Sequence, residues 1–296
     1  MTKTTQDLKS RAILALIVVQ VLFGVNFITS KIVMQSIPPL LWSSMRVVFS
    51  AIGLLILALF SGKPSPAFTK ENFRPLAYFA FLSMIVSQTA FQAGLSLSTA
   101  TNTAIINTLT PVFTLLFVIF SGKESLSWKR FIGFVCAFGG VLAIRGVENY
   151  SLSDQTFIGD ALTLLNCLGF GLFLTVSKRY VETHDALWTT AWIFILGSVG
   201  LIILSIPSLQ GFEFPVMTAE LLGCMVVSIF GSTLLAYYLN MWALAYLNSS
   251  LVALFIYLQP VVASLLAWMI FGEIITIRTI ASSLLVFAGI VLATRK

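Results

Sequence analysis

Apolar residues run through this chain in long blocks, each about as long as a bilayer crossing, separated by short polar turns. A helix needs about 20 apolar residues to cross the hydrocarbon core, with a usable range of about 17–25. Read against that length, the blocks predict spans near 12–34, 39–60, 74–96, 102–121, 129–145, 157–177, 186–206, 219–244, 249–271 and 277–294. Helix is required, because lipid offers no partner for free backbone groups and the blocks do not alternate as barrel strands do. Pro38 and Pro39 separate the first two spans at a point where neither needs a backbone N–H. Residues 61–66, SGKPSP, read as a loop. The expected fold class is all-α integral membrane, with ten transmembrane helices.

The blocks also pair with one another. PVFTLLFVIFSGKE at 111–124 is echoed by PVVASLLAWMIFGE at 260–273, an offset of 149 residues; each opens on Pro-Val and closes on a turn carrying Gly and Glu. FGVNFITSK at 23–31 aligns with FGLFLTVSK at 170–178, an offset of 147. Leu41-Trp42 answers Leu187-Trp188, GLLIL at 53–57 answers GLIIL at 200–204, and Gly140 answers Gly289. Spans 1–5 therefore recur as spans 6–10, which divides one membrane domain into halves 1–150 and 151–296. Five is odd, so the second half is expected to enter the membrane upside down relative to the first.

Charge agrees with that arrangement. With the N-terminus inside, the inner segments hold 13 Lys and Arg, while the outer ones hold 2, Arg145 and Arg278. Both termini are expected to be cytoplasmic, in a multi-pass protein of the cell inner membrane. Inverted five-helix repeats are a recurrent design of secondary transporters, which bind substrate near the midplane between the halves.

Composition fits a lipid-embedded chain: 58% of residues are hydrophobic and 9% charged, against roughly 25% charged in soluble domains. The net charge of +6 is scattered over short loops, which excludes a nucleic-acid surface. Cys136, Cys167 and Cys224 lie in apolar runs with neither disulfide nor metal-ligand spacing, and no cofactor motif is present. The first apolar run has a basic flank (Lys3, Lys9, Arg11) but is too long for a signal peptide, and no cleavage pattern follows it.

Two five-helix halves, each ending in a proline-initiated helix, a Gly/Glu turn and a glycine-bearing last helix, resemble the drug/metabolite transporter superfamily, EamA type. The resemblance spans nearly the whole chain, from about residue 12 to 294. It rests on Pro111, Glu124, Gly133 and Gly140, on Pro260, Gly272, Glu273 and Gly289, and on Arg46 in the second span. The first turn departs from the pattern, with Lys123 between Gly122 and Glu124. The resemblance implies a carrier of small metabolites, commonly an exporter of amino acids or related compounds, with a cavity lined mainly by spans 1, 3, 4, 6, 8 and 9.

Polar side chains at membrane depth are costly, so each is a functional candidate. Gln88 and Gln92 lie one turn apart on span 3, with Ser96 continuing their face. At the repeat offset, Gln88 corresponds to Tyr237 and Phe91 to Asn240, while Asn26 corresponds to Phe173. Asn107, Asn166, Tyr257 and Gln259 complete a substrate-binding set of amides and aromatic rings suited to a small zwitterion with an apolar side chain. Interhelical hydrogen bonding is the competing role for each of them. Lys31 and Arg46 lie toward the outer ends of adjacent spans, where they could attract or gate an anion. Snorkelling of Lys31 and a structural bond from Arg46 to backbone carbonyls compete with that role. Pro111 and Pro260 are hinge candidates, each removing a helical hydrogen bond. Gly133, Ala137, Gly140, Ala281, Ala288 and Gly289 read as packing positions.

No Asp or Glu falls near the middle of a span; Asp160 is placed at the outer start of span 6. That points to facilitated diffusion or exchange without tight proton coupling. A polytopic membrane enzyme would need clustered acids, His or an activated nucleophile, and a channel would need rings of like charge or a backbone filter. The expected partners are a small-molecule substrate and the lipid bilayer, with the protein a monomer or a homodimer.

Overall fold

The computed structural model describes residues 3–66, 69–98, 100–123, 127–145, 154–271 and 277–294, and among these the chain is helix and turn with no strand. Two long helices come first, α1 (Lys3–Val33) and α2 (Pro39–Phe60). The third expected span is not one regular helix. It starts as α3 (Lys70–Ala80), widens into a π-helical stretch over Phe81–Gln88, and tightens again as α4 (Thr89–Leu97). The fourth is split at Thr108 into α5 (Ala100–Asn107) and α6 (Leu109–Phe120). Then follow α7 (Trp128–Arg145), α8 (Asp154–Val181) and α9 (Ala186–Ser205). The eighth span repeats the form of the third: α10 (Ala219–Val226), a π stretch over Val227–Leu235, and α11 (Ala236–Tyr246). The ninth repeats the fourth, with α12 (Ser249–Leu254), a 3-10 turn at Phe255–Tyr257, and α13 (Leu258–Phe271). The described chain ends with α14 (Ile277–Thr294).

Six described segments are long and apolar enough to cross a membrane: Gln6–Val33, Pro39–Phe60, Lys70–Leu97, Phe157–Val181, Ala186–Leu209 and Ala219–Tyr246. Leu109–Phe120 and Ser249–Val262 are shorter apolar helices. Glu124, Gly272 and Glu273, the Gly/Glu turn positions, lie outside the described residues.

The prolines explain the two split spans. A proline at position i has no N–H for the carbonyl at i−4, and its ring pushes that carbonyl away. Position i−4 is Asn107 for Pro111 and Ile256 for Pro260, and the helices break beside these residues. Ile106 O, next to the first break, accepts from Cys167 Sγ at 3.3 Å. Hydroxyls serve the backbone of the π stretches: Ser83 Oγ donates to Phe79 O and Thr233 Oγ1 to Ser228 O, both at 2.7 Å.

Packing between the halves is reciprocal. α2 packs on α9 and α7 on α14; α1 packs on α11 and α13, while α8 packs on α4 and α6. The repeated Phe-Gly dipeptides make part of this possible. A Cβ on Gly24 would lie 2.7 Å from Val262 Cγ1 on α13, and one on Gly171 would lie 3.1 Å from Thr114 Oγ1 on α6. At the α7–α14 contact, a Cβ on Gly289 would lie 2.6 Å from both Ala137 N and Gly133 O. α4 and α8 approach backbone to backbone, since a Cβ on Gly159 would meet Ser98 N at 2.8 Å and Gly94 O at 2.9 Å.

The two repeat-related lysines do the same job. Lys31 Nζ donates to Leu95 O (2.7 Å) and Ser98 O (3.1 Å) at the end of α4. Lys178 Nζ donates to Leu244 O (2.8 Å) and Ala245 O (3.3 Å) at the end of α11 and pairs with Glu182. Each places a cation on the negative end of the third span of its own half.

The outside of the bundle is apolar, with Phe60 87% and Phe120 84% exposed, as suits a surface solvated by lipid. The loop after α2 is tied to the start of α9. Asp185 accepts from Leu187 N and Trp188 N as an N-cap, and Lys63 Nζ reaches its other oxygen at 2.6 Å. Hydrogen bonding to Asp185 raises the Lys63 pKa above its ordinary value. This pairing is therefore fully present below the usual lysine range and is lost only as pH rises through the raised value.

Asp185→Ala removes the cap and the ion pair together, and is expected to lower stability by about 1 kcal/mol, mostly through the cap. Gly159→Val, which drives a side chain into the backbone of α4, is expected to cost about 1–3 kcal/mol or more. Thermal unfolding of the purified protein in detergent measures both.

Candidate functional site

Where α1, α2, α4, α8, α11, the first π stretch and the broken helices converge, they line a partly open cavity of about 60 Å³. That is room for about four waters at roughly 15 Å³ each, and far less than the ~300–1,000 Å³ of typical small-molecule sites. Six of its wall positions fall into three repeat-related pairs: Phe23 with Phe170, Gln88 with Tyr237, and Asn107 with Ile256. Asn26, Phe27, Arg46, Ser87, Phe91, Asn166 and Gln259 complete the lining.

One wall is aromatic. Tyr237 stands edge-on to Phe23 (5.6 Å), Phe170 (6.1 Å) and Phe194 (5.2 Å), so its ring is locked while its hydroxyl interacts with the Gln88 amide. Phe27 meets Phe91 edge-on at 5.4 Å.

A second wall is a belt of amides joining five elements. Ser87 Oγ donates to Asn166 Oδ1 (2.6 Å), and Asn166 Nδ2 donates to Asn107 Oδ1 (3.0 Å). Asn107 Nδ2 donates to Gln259 Oε1 (2.9 Å), and Gln259 Nε2 donates to Gln20 Oε1 (2.7 Å). A buried amide without partners is expensive; here each satisfies the next.

The third wall is Arg46, 2% exposed. Its Nε and Nη2 donate to Thr233 Oγ1 (2.9 and 2.7 Å), and Nη1 donates to Ser30 Oγ (3.0 Å). Ser30 Oγ in turn donates to Asn26 Oδ1 at 3.1 Å. The guanidinium carbon lies 5.8 Å from the Trp42 ring centroid, a cation–π distance. The bonds run to hydroxyls of α1 and a π stretch, not to the backbone carbonyls considered from sequence.

Of the residues expected at the site, Asn26, Gln88, Phe91, Asn107, Asn166, Tyr237, Gln259 and Arg46 line the cavity. Gln92, Phe173, Asn240 and Tyr257 do not. Phe173 packs in the apolar core against Phe79 and Phe170. Tyr257 lies against Phe134 and Phe138, its hydroxyl unpartnered. Gln92 is fully buried with both amide ends unpartnered, and Asn240 keeps a free Nδ2. Lys31 faces a second hollow, lined also by Phe27, Gln35, Thr218 and Glu220. Pro111 and Pro260 are buried beside the cavity walls that their helix breaks create. Asp160 is buried off the cavity; it accepts from Ser98 Oγ and leaves Oδ2 unpartnered.

Phe23, Phe27, Ser87, Phe170 and Ile256 were not singled out from sequence. For Phe23 and Phe170 the signal was there: both open the repeated Phe-Gly motif. Thr233 and Ser30, which hold Arg46, carried none, being short hydroxyls in apolar runs.

Asn107→Leu orphans Asn166 Nδ2 and Gln259 Oε1 together. It is expected to cost about 1–3 kcal/mol per stranded group, well above the ~0.6 kcal/mol of an average interhelical bond in a membrane protein. A drop in unfolding temperature much larger than that of the single-bond variant Ser87→Ala is the measurement that checks it.

Comparison with known proteins agrees with this architecture. The chain is 24% identical over 289 residues to the uncharacterized transporter YoaV of Bacillus subtilis, covering 96% of this chain and 97% of that one. It is 24% identical over 231 residues to an S-adenosylmethionine uptake transporter of Rickettsia bellii, covering 77% and 74% respectively. A solved structure described as "Crystal structure of protein" superposes with a TM-score of 0.76 at 15% identity, covering 96% of each chain, and so shares the fold. The EamA-like transporter family matches twice, over residues 10–146 and again over 157–295, and this chain belongs to that family of transporters.

Proposed function

We propose that this transporter is a secondary carrier that moves a small metabolite, an amino acid or related compound, by alternating access between inverted five-helix halves. One observation carries this reading: both halves contribute repeat-related residues, Phe23 with Phe170, Gln88 with Tyr237 and Asn107 with Ile256, to a single cavity. Exchanging the conformations of two such halves moves access from one side to the other. The reciprocal packing of α1 and α8 on the opposite half supports the same symmetry.

Phe27 lines both this cavity and the second hollow, a position that suits its ring to act as a barrier between them. Pro111 and Pro260 sit where the helices are already broken, which suits bending there. The cavity as it stands is too small for a metabolite, so binding requires it to widen. No acid lines it among the described residues, in keeping with exchange or facilitated flux. Export is the direction that the family resemblance implies, with both termini cytoplasmic in an inner membrane. The S-adenosylmethionine named for a relative is a poor match here, because that compound has a net positive charge and Arg46 would face it.

Proteoliposomes preloaded with an amino-acid mixture test the carrier reading. Uptake of labelled substrate is expected to saturate and to accelerate with substrate on the far side. Linear flux indifferent to the far side would mean a channel and sink the proposal. Phe27→Ala, which deletes the shared ring, is expected to raise uncoupled leak several-fold relative to exchange.

A further inference from the structure

The cavity carries one full charge and no counter-charge. The partners of Arg46 are two hydroxyls and a ring face, none of them anionic. Among the described residues, no Asp or Glu lines the cavity or pairs with this guanidinium. A guanidinium has five N–H donors. Three are engaged, which leaves one on each terminal nitrogen with no protein acceptor among the described residues.

An unpaired charge is costly to bury, and the cost falls when an anion arrives. Thr233 takes Nε and Nη2 on one oxygen, and Ser30 takes Nη1 on the other side, so the planar fork is held in a fixed plane before any ligand binds. A fixed fork with a free N–H on each terminal nitrogen is suited to a carboxylate more than to a point charge. Around it, Phe23, Phe27, Phe91 and Phe170 offer an apolar body a place to lie, and the Tyr237 hydroxyl and Gln88 amide offer neutral hydrogen bonds. A cationic group in the same space would meet the guanidinium across a poorly screened gap.

Building on the carrier reading, we propose that the substrate is an organic carboxylate with an aromatic or branched apolar body and no net positive charge, and that Arg46 is the residue that takes the carboxylate.

Isosteric probes separate charge from shape. Purified protein in detergent is titrated with 4-hydroxyphenylacetate, its amide and tyramine, followed by calorimetry and thermal shift. Hexanoate and 4-methylpentanoate are added, each with its amide and amine. At least one carboxylate is expected to bind about tenfold or more tighter than its amide, a factor of ten being the usual worth of one charge-assisted interaction, and the amines not to bind measurably. In Arg46→Gln the carboxylate-to-amide ratio is expected to fall to about one. Thr233→Val keeps the guanidinium and removes one support, so it is expected to lose thermal stability while retaining the preference for carboxylate. If Arg46→Gln does not fold, Arg46→Lys serves instead, with carboxylate affinity expected to fall about tenfold and amide affinity unchanged.

Amines or amides binding as tightly as carboxylates would overturn the inference. So would an unchanged ratio in the Arg46 variants, or a folded protein that binds none of the carboxylates. Counterflow of a non-carboxylate in liposomes, with no carboxylate binding, would remove this inference and leave the carrier reading standing. Tight carboxylate binding without flux would do the reverse.

Discussion

A carbonyl released from its helix inside a bilayer has no water to turn to, so it must be met by protein or face a protected cavity. This constraint explains most of what distinguishes the chain from a plain bundle. Its helices are irregular in two matched pairs of places, the π stretches at Phe81–Gln88 and Val227–Leu235 and the proline breaks before Pro111 and Pro260. Three of the four line the cavity directly, and the stretch at Val227–Leu235 reaches it through Thr233, which holds Arg46; Ser, Thr, Asn and Gln side chains are concentrated here. The residues that supply this polarity are therefore the ones that make the irregular backbone tolerable, and the site and the breaks depend on each other.

The same dependence explains the position of Arg46. A cation at this depth needs several acceptors, and the π stretch delivers one of them by carrying Thr233 to the guanidinium. Thr233 also donates to Ser228 O five residues back, which ties the widened turn to the charge. Removing either partner leaves the other with an unmet group. The arginine thus links α2 to the second half through the site itself, not through a separate scaffold contact.

Much of this was legible in the sequence, and the reasons are specific. Block length predicted the six long apolar segments because bilayer thickness sets it. The duplicated motifs led to Gln88 and Tyr237 because an offset of 149 residues carries wall position to wall position. The same arithmetic was misleading for Phe91 with Asn240 and for Asn26 with Phe173, where only one partner of each reaches the cavity. The widened turns after Ala80 and Val226 rotate the residues beyond them relative to a regular helix, and a helical wheel drawn through them loses register. Gln92 was expected beside Gln88 because the two lie one turn apart, but α4 is regular from Thr89 and turns Phe91, not Gln92, to the cavity. Pro111 and Pro260 were hinge candidates, but continuous helices were still expected at the fourth and ninth spans, because apolar block length does not register the break a proline makes. Its effect falls four residues upstream, on the carbonyls of Asn107 and Ile256. The lysine motif was visible as a repeat, but an ammonium that ends another helix looks, in one dimension, like an ammonium in solvent.

Lys31 and Lys178 each bind the terminal carbonyls of a helix from their own half. Each half is thereby clasped internally by a bond that does not involve the other. A relative displacement of the halves can then leave both clasps closed and fall instead on the bonds that cross between them, the amide belt and the Arg46–Thr233 pair among them. Those bonds are short and directional, so a shift between the halves has to exchange their partners. A protein assembled this way resembles two stiff plates held by a row of polar catches, and a change of position must reset the catches.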